Sequence, residues 1–210
     1  SSSITVTLPP DYMSPTTAGN RGLANLGNTC FMNCIIQCLS NTRPLRDLFL
    51  SQIFAKDLNR DNPIGAGGAI ALQYAILQKQ LWSGDTTPFA PKLLKQQLGR
   101  MNQAFGGYQQ QDAQELMSYL LDYIHEDLNR VKKKPYIEDT ESGGRPDAEV
   151  AAEAWSNYKR RNDSYLDDIF QGQLRSKLTC PECNYVSVKF DNFSVLSLPV
   201  PQKKRFFEVI

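Results

Sequence analysis

Histidine is almost missing from this sequence: His125 is the only one in 210 residues. Any nucleophile–histidine pair formed inside the chain therefore has one candidate base. Long apolar runs are absent too. None approaches the ~20 residues needed to cross a bilayer, which argues against a membrane span. Net charge is +1, and no dense basic block marks a nucleic-acid surface. The expectation is a protein with neither a nucleic-acid nor a membrane partner. No basic n-region followed by an apolar h-region reads as a signal peptide. The five cysteines are an odd number and come without a secretory signal. Reduced thiols in the cytosol or nucleus are expected rather than a disulfide framework.

What is present begins with GLANLGNTCFMNCIIQCLS, residues 22–40. A Gly- and Asn-rich loop ends at Thr29-Cys30, and Gly22 and Gly27 let it bend tightly. From Cys30 the apolar residues Phe31, Cys34, Ile35, Cys38 and Leu39 recur at spacings of three and four, which predicts a helix. Asn28 or Thr29 is its expected N-cap. Cys30 then sits at a helix N-terminus, where unpaired N–H groups and the helix dipole favour an anion such as a thiolate. Asn25, five residues upstream, is within reach of the same point. Read by pattern alone, this is a loop entering a buried helix, with Cys34 and Cys38 facing the core. The wording GLANLGNTCFMN, however, closely resembles the cysteine box of the ubiquitin-specific proteases, papain-like deubiquitinases. The resemblance implies that Cys30 is the nucleophile and that Asn25 is an oxyanion-hole donor.

Residues 1–20 are rich in Ser, Thr and Pro and read as a flexible leader; Ile4, Val6 and Leu8 alternate and offer at most an edge strand. Pro44 suits the start of a short second helix to Leu50. Residues 59–68 hold Asn, Asp, Pro and Gly and read as a loop. Ile70, Tyr74, Leu77 and Leu81 form a helical stripe closed by Gly84. Residues 91–101 form a further short helix with Leu93, Leu94 and Leu98 buried.

GYQQQDAQELMSYLLDYIHEDLNR follows, residues 107–130. Ala113, Met117, Leu120, Leu121, Ile124 and Leu128 make one apolar face. Asp112 and Glu115, three apart near the helix start, are by spacing ordinary dipole partners. The segment GYQQQDAQEL resembles the second sequence block of the same protease family. That likeness implies that Asp112 and Glu115 grip the Arg-containing C-terminal tail of ubiquitin through charge-assisted bonds. His125 lies deep in this helix and reads as a scaffold residue rather than the partner of Cys30.

Residues 132–146 form a surface loop, and a helix over 147–161, capped by Asp147, shows Val150, Ala154, Trp155 and Tyr158 on one side. From Ser164 onward the pattern turns β-rich, with clear alternation over residues 185–190. FQGQLRSKLTC and DNFSVLSLPVP resemble the strands entering and leaving the family's fingers. Between them, Cys180 and Cys183 form a CxxC turn, half a zinc knuckle. Zinc requires four ligands, and the resembling family draws the other pair from a later CxxC that these residues do not contain.

The family resemblance, covering roughly residues 21–210, implies an α+β fold: a papain-like helical thumb over 21–161, then antiparallel β fingers over 162–210. It implies an N-terminal portion of a deubiquitinase domain of the subgroup split by an insertion. The triad histidine and its Asn/Asp partner are not among these residues, so the chain alone is expected to be inactive. No cofactor is expected for catalysis, and structural zinc only with a second cysteine pair. Expected partners are ubiquitin, ubiquitinated proteins and the C-terminal half of the same domain. The rival readings are a non-catalytic ubiquitin- or partner-binding module and a zinc-knuckle interaction domain.

Overall fold

The computed structural model describes residues 18–199. The possible edge strand at Ile4–Leu8 and the segment from Val200 lie outside the described residues. The chain divides into two compact units, one of residues up to 137 with 157–169, the other of 138–156 with the residues from 170.

The first unit is helical. Its elements are α1 (Cys30–Ser40), α2 (Arg43–Leu50), α3 (Ala69–Leu81), α4 (Lys92–Met101) and α5 (Ala113–Leu128). α5 packs against both α1 and α3, and α3 against α2 and α4. The core they enclose is built from Ile36, Leu45, Phe49, Ile70, Tyr74 and Leu120, all fully buried. Phe49 meets the Tyr74 ring edge-on at 4.8 Å, a favoured aromatic geometry. Tyr74 is tolerated at zero exposure because its hydroxyl accepts a bond from Gln78 Nε2 (2.6 Å), and Gln78 Oε1 accepts from Ser40 (3.0 Å).

The buried sides differ from the sequence expectation in several places. α1 buries Met32, Ile36 and Leu39, whereas Cys34 and Cys38 are exposed. Counting cysteines as apolar rotated the predicted stripe toward solvent; the longer Met32 and Ile36 side chains have more surface to bury. Leu93 is 57% exposed, with only Leu94 and Leu98 buried on α4. On α5, Leu116 joins the core. Thr29 occupies the cap position of α1 without a capping bond to the helix, its hydroxyl being engaged elsewhere. Asp147 is the first residue of its helix rather than the residue before it.

The end of α5 is unexpectedly polar. Asp127 is completely buried. Its Oδ1 accepts the N–H groups of Ala66 (2.7 Å) and Gly68 (3.0 Å), and its Oδ2 those of Ile70 (3.0 Å) and Ala71 (3.1 Å). One carboxylate thus satisfies donors at the start of α3, where a helix has no internal acceptors. His125, one helical turn before Asn129, is also buried. Its Nδ1 lies 2.8 Å from Ser164 Oγ and 3.3 Å from Asp167 Oδ2. The Ser164 hydroxyl and the Tyr158 hydroxyl both donate to Asp167 (3.0 and 2.7 Å). This cluster holds α7 (Tyr165–Phe170) within the first unit, so a helix intervenes before the strands that were expected from about residue 162.

In the second unit, β1 (Gly172–Thr179) and β2 (Val186–Phe193) pair antiparallel, Gly172 opposite Phe193 and Thr179 opposite Val186. A Cβ at Gly172 would meet the Phe193 ring at 2.8 Å, so glycine lets the aromatic lie across the strand. α6 (Asp147–Lys159) is shared between the units. Its start is tied to the hairpin by an Arg175–Asp147 ion pair of 2.5 Å and by Gln173 Nε2 donating to Ala151 O (3.2 Å).

Replacing Asp127 with alanine strands buried N–H donors and is expected to cost about 3 kcal/mol or more. A loss below about 1 kcal/mol in urea unfolding would contradict this account. His125 supplies a pH signature. Burial pushes its pKa down, but the hydrogen bond and charge of Asp167, aided by Glu126, prevail and leave it raised. A raised folded pKa means the stabilisation is complete below the unfolded value near 6.5 and fades as pH rises through the folded value. Stability should therefore fall on going from pH 6 to 8 (about the window of that titration), and His125→Gln should flatten the decline.

Candidate active site

The loop before α1 is fixed from two directions. Arg21 anchors its start: Nε donates to Thr87 O (2.7 Å), Nη1 to Gln80 Oε1 (2.7 Å), and Nη2 pairs with Asp85 (2.7 Å). Leu23 and Phe89 form an isolated parallel bridge, with Ala24 N donating to Phe89 O (2.8 Å). From the helix side, Gln37 Nε2 donates to Arg21 O (3.0 Å) and Asn33 Nδ2 to Ala24 O (3.3 Å).

Within the loop, Asn25 is the organiser. Its Oδ1 accepts from Gly27 N (3.0 Å), Thr29 N (3.1 Å) and the Thr29 hydroxyl (3.3 Å). Thr29 Oγ1 in turn accepts from Leu26 N (2.9 Å). These donors decide which way the amide points: the oxygen turns inward. Nδ2 is left as a donor with no partner among the described residues, on an exposed side chain. Gly27 has φ +95°, and a Cβ there would meet the Tyr108 ring at 2.7 Å; only glycine suits both the angle and the contact. Asn28 has φ 53° and its Nδ2 donates to Tyr108 O (2.8 Å).

Cys30 is the first residue of α1 and is exposed. Its thiol donates to Gln110 Oε1 at 3.5 Å. The structure thus places Asn25 in the loop that leads into Cys30 and sets the GYQQQD segment against this region through Tyr108 and Gln110. Sequence reasoning gave Gln110 no role, because three consecutive glutamines carry no periodic or capping signal that singles one out.

Asp112 is the N-cap of α5; its Oδ1 accepts from Gln114 N (2.7 Å) and Glu115 N (3.1 Å). One carboxylate oxygen caps the helix, and Oδ2 makes no hydrogen bond among the described residues. Glu115 is exposed in the first turn, without an ion-pair partner among the described residues. The sole histidine, His125, is committed to Ser164 and Asp167.

Cys180 and Cys183 stand at the tip of the β1–β2 hairpin. Cys180 N donates to Tyr185 O (2.9 Å) and Asn184 N to Cys180 O (3.0 Å), with Asn184 at φ 54°. The Cys180 thiol pKa is lowered, chiefly by the backbone N–H of Cys183, then that of Glu182 and the Cys183 side chain. N–H groups aimed at a sulfur are what a metal-bound thiolate accepts, so the turn fits half of a tetrahedral thiolate site. Among the described residues no three metal-ligating side chains gather.

A family model described as ubiquitin carboxyl-terminal hydrolase matches residues 21–204. The chain belongs to that family. It is 55% identical over 202 residues to ubiquitin carboxyl-terminal hydrolase 4 of Mus musculus, covering 96% of this chain and 21% of that protein. To ubiquitin carboxyl-terminal hydrolase 15 of Homo sapiens it is 56% identical over 183 residues, 87% of this chain and 19% of that protein. The chain therefore spans about a fifth of the length of these curated relatives. A chain of the SAGA DUB module Ubp8/Sgf11/Sus1/Sgf73 bound to monoubiquitin superimposes with a TM-score of 0.59 at 22% identity, covering 90% of this chain and 37% of that one. The chain thus shares the fold of part of that structure, as the papain-like α+β reading requires.

Gly27→Ala should move the Asn25 loop and cost about 1–3 kcal/mol through backbone strain and the Tyr108 clash. A Gly27→Ala protein with unchanged melting temperature would show that the loop is not held as described.

Proposed function

We propose that this chain supplies the thiol side of a cysteine-type deubiquitinase centre that hydrolyses bonds at the ubiquitin C-terminal glycine. The observation that carries the reading is Asn25. Its oxygen is held by donors of its own loop, so its Nδ2 is left as a preset hydrogen-bond donor in the loop that leads into the exposed Cys30. That is what an oxyanion hole needs: a donor already oriented before charge develops. In the proposed reaction the Cys30 thiolate attacks the carbonyl carbon, and the oxyanion is met by Asn25 Nδ2 and backbone N–H groups. The amine then leaves, taking a proton, and a thioester remains for water to hydrolyse.

The leaving amine needs an acid, and His125 is buried in its own network. The proposal therefore assigns the histidine to the remainder of the domain, outside these residues, and expects this chain alone to be inactive. Asp112 through its free oxygen, and Glu115, hold the basic ubiquitin tail. Cys180 and Cys183 take zinc only with a second cysteine pair from that remainder. Free thiols of this kind suit a reducing compartment, the cytosol or nucleus. The alternative, a binding module without chemistry, is favoured by one observation: the only histidine present is structurally committed.

Ubiquitin carrying a cysteine-reactive electrophile at its C-terminus separates the two. Labelling is expected when the chain is combined with the histidine-bearing half of a relative's domain, and none with Cys30→Ala. Absence of labelling in that mixture, with ubiquitin binding retained, would favour the binding module. In the assembled enzyme, Asn25→Asp keeps the loop's acceptor but removes the donor. It should leave the melting temperature nearly unchanged while lowering kcat about 100-fold or more; unaltered kcat would remove Asn25 from the oxyanion hole.

A further inference from the structure

We propose that a basic groove beside the cysteine loop receives an acidic stretch of the polypeptide from which ubiquitin is released, an inference that rests on the hydrolase reading above. The groove is a cavity of about 510 Å³, open to solvent, between α4 and the loops around Leu26 and Tyr108. Its charged lining is Lys92, Lys95 and Arg100, and no acidic side chain lines it. Lys95 is fixed in place: Nζ donates to Gly106 O (3.1 Å) and Gly107 O (2.8 Å) and lies 5.0 Å from the centre of the Tyr108 ring. Lys92 and Arg100 are exposed and have no partner among the described residues. Two cations are therefore available, flanking one that is already neutralised in part by carbonyl oxygens.

The floor is backbone. A Cβ on Gly99 would meet Gly106 Cα at 2.6 Å, so α4 and the following loop touch without side chains between them. The walls belong to the active-site loop. Leu26 shares the Thr29 hydroxyl with Asn25, and Tyr108 is tied to Asn28 and stands two residues before Gln110, the partner of Cys30. An occupant of this groove therefore lies against the loop that carries the nucleophile. Its sign is opposite to that of Asp112 and Glu115, which suit a basic tail. The two polypeptides joined by the scissile bond are thereby sorted by charge.

Geometry favours an extended chain over a small anion. Lys92 and Arg100 are eight residues apart on α4, about 12 Å of helix rise. Acidic residues about four apart on an extended strand span a similar distance, since each residue advances about 3.3 Å. The 70% exposed Tyr108 and half-buried Leu26 offer an apolar contact for a side chain between those carboxylates.

The test is fluorescence anisotropy with the 210-residue chain and a fluorescein-labelled peptide bearing glutamates about four residues apart around a leucine. Binding should weaken about tenfold in the double variant Lys92→Glu with Arg100→Glu, each reversal removing an attraction and adding a repulsion. The neutral pair Lys92→Gln with Arg100→Gln should weaken it about threefold, a safeguard if the reversals disturb folding. Lys79→Glu, an equal charge change on α3 away from the groove, should have no effect. Affinity indifferent to both double variants would overturn the proposal. So would a single-stranded oligonucleotide of equal charge that binds more tightly and is lost with the same residues. Electrophile labelling at Cys30, measured in the mixture with the histidine-bearing half of a relative's domain, should persist in the Lys92/Arg100 variants. Labelling absent from that mixture with the unaltered chain would instead overturn the hydrolase reading, whatever the peptide does.

Discussion

A single buried carboxylate holds the helical unit together. Asp127 ends α5 and begins α3 at the same time, because its two oxygens take four backbone N–H groups from residues 66–71. A charge at zero exposure is strongly unfavourable unless fully hydrogen-bonded, and here the positive end of α3 adds to the four bonds. Remove that contact and the loop over 59–68 loses its reason for its shape, since Asn59 N donates to Asp127 O (2.8 Å) and Asn62 Nδ2 to Glu126 O (3.0 Å). The same helix presents Leu116, Leu120 and Ile124 to the core, and its first turn carries Asp112 and Glu115. Positions near the thiol thus depend on packing and polar contacts set at the far end of α5.

The cysteine loop is rigid for a different reason. It contains little apolar surface, and its order comes from polar groups satisfied in one arrangement only. Asn25 accepts from its own loop, Thr29 bridges Leu26 and Asn25, and Arg21 and Gln37 fasten the approach. Leu26 of this loop and Tyr108, which is tied to Asn28, also line the basic groove, so the groove and the cysteine loop share residues.

Much of this was legible beforehand. The stripe Ile70, Tyr74, Leu77 and Leu81 is buried as its spacing requires, and the hairpin flanks its CxxC turn as the alternation suggested. The cysteine-box wording led to the family and hence to Cys30 and Asn25. Other features were not legible. Cys34 and Cys38 counted as apolar but lie in solvent, because hydropathy cannot say which of two adjacent faces of α1 meets α5. The anchoring role of Asp127 and the partners of the scaffold residue His125 were not legible, because those partners are 56 to 61 and 39 positions away.

The sequence by itself determined what is local: where α1 begins, that glycines let the loop before it bend tightly, that a CxxC sits between two strands, and which family wording surrounds Cys30. Those depend on periodicity, backbone freedom and neighbouring residues, all of which a linear string contains. Only the tertiary structure decided which way the Asn25 amide points, that Gln110 reaches the Cys30 thiol, and that three cations of α4 line a groove against Leu26 and Tyr108. Hydrogen-bond direction and charge convergence depend on groups brought together from up to about 80 residues away, as Cys30 and Gln110 are, and chain order carries no record of that until burial has chosen one packing.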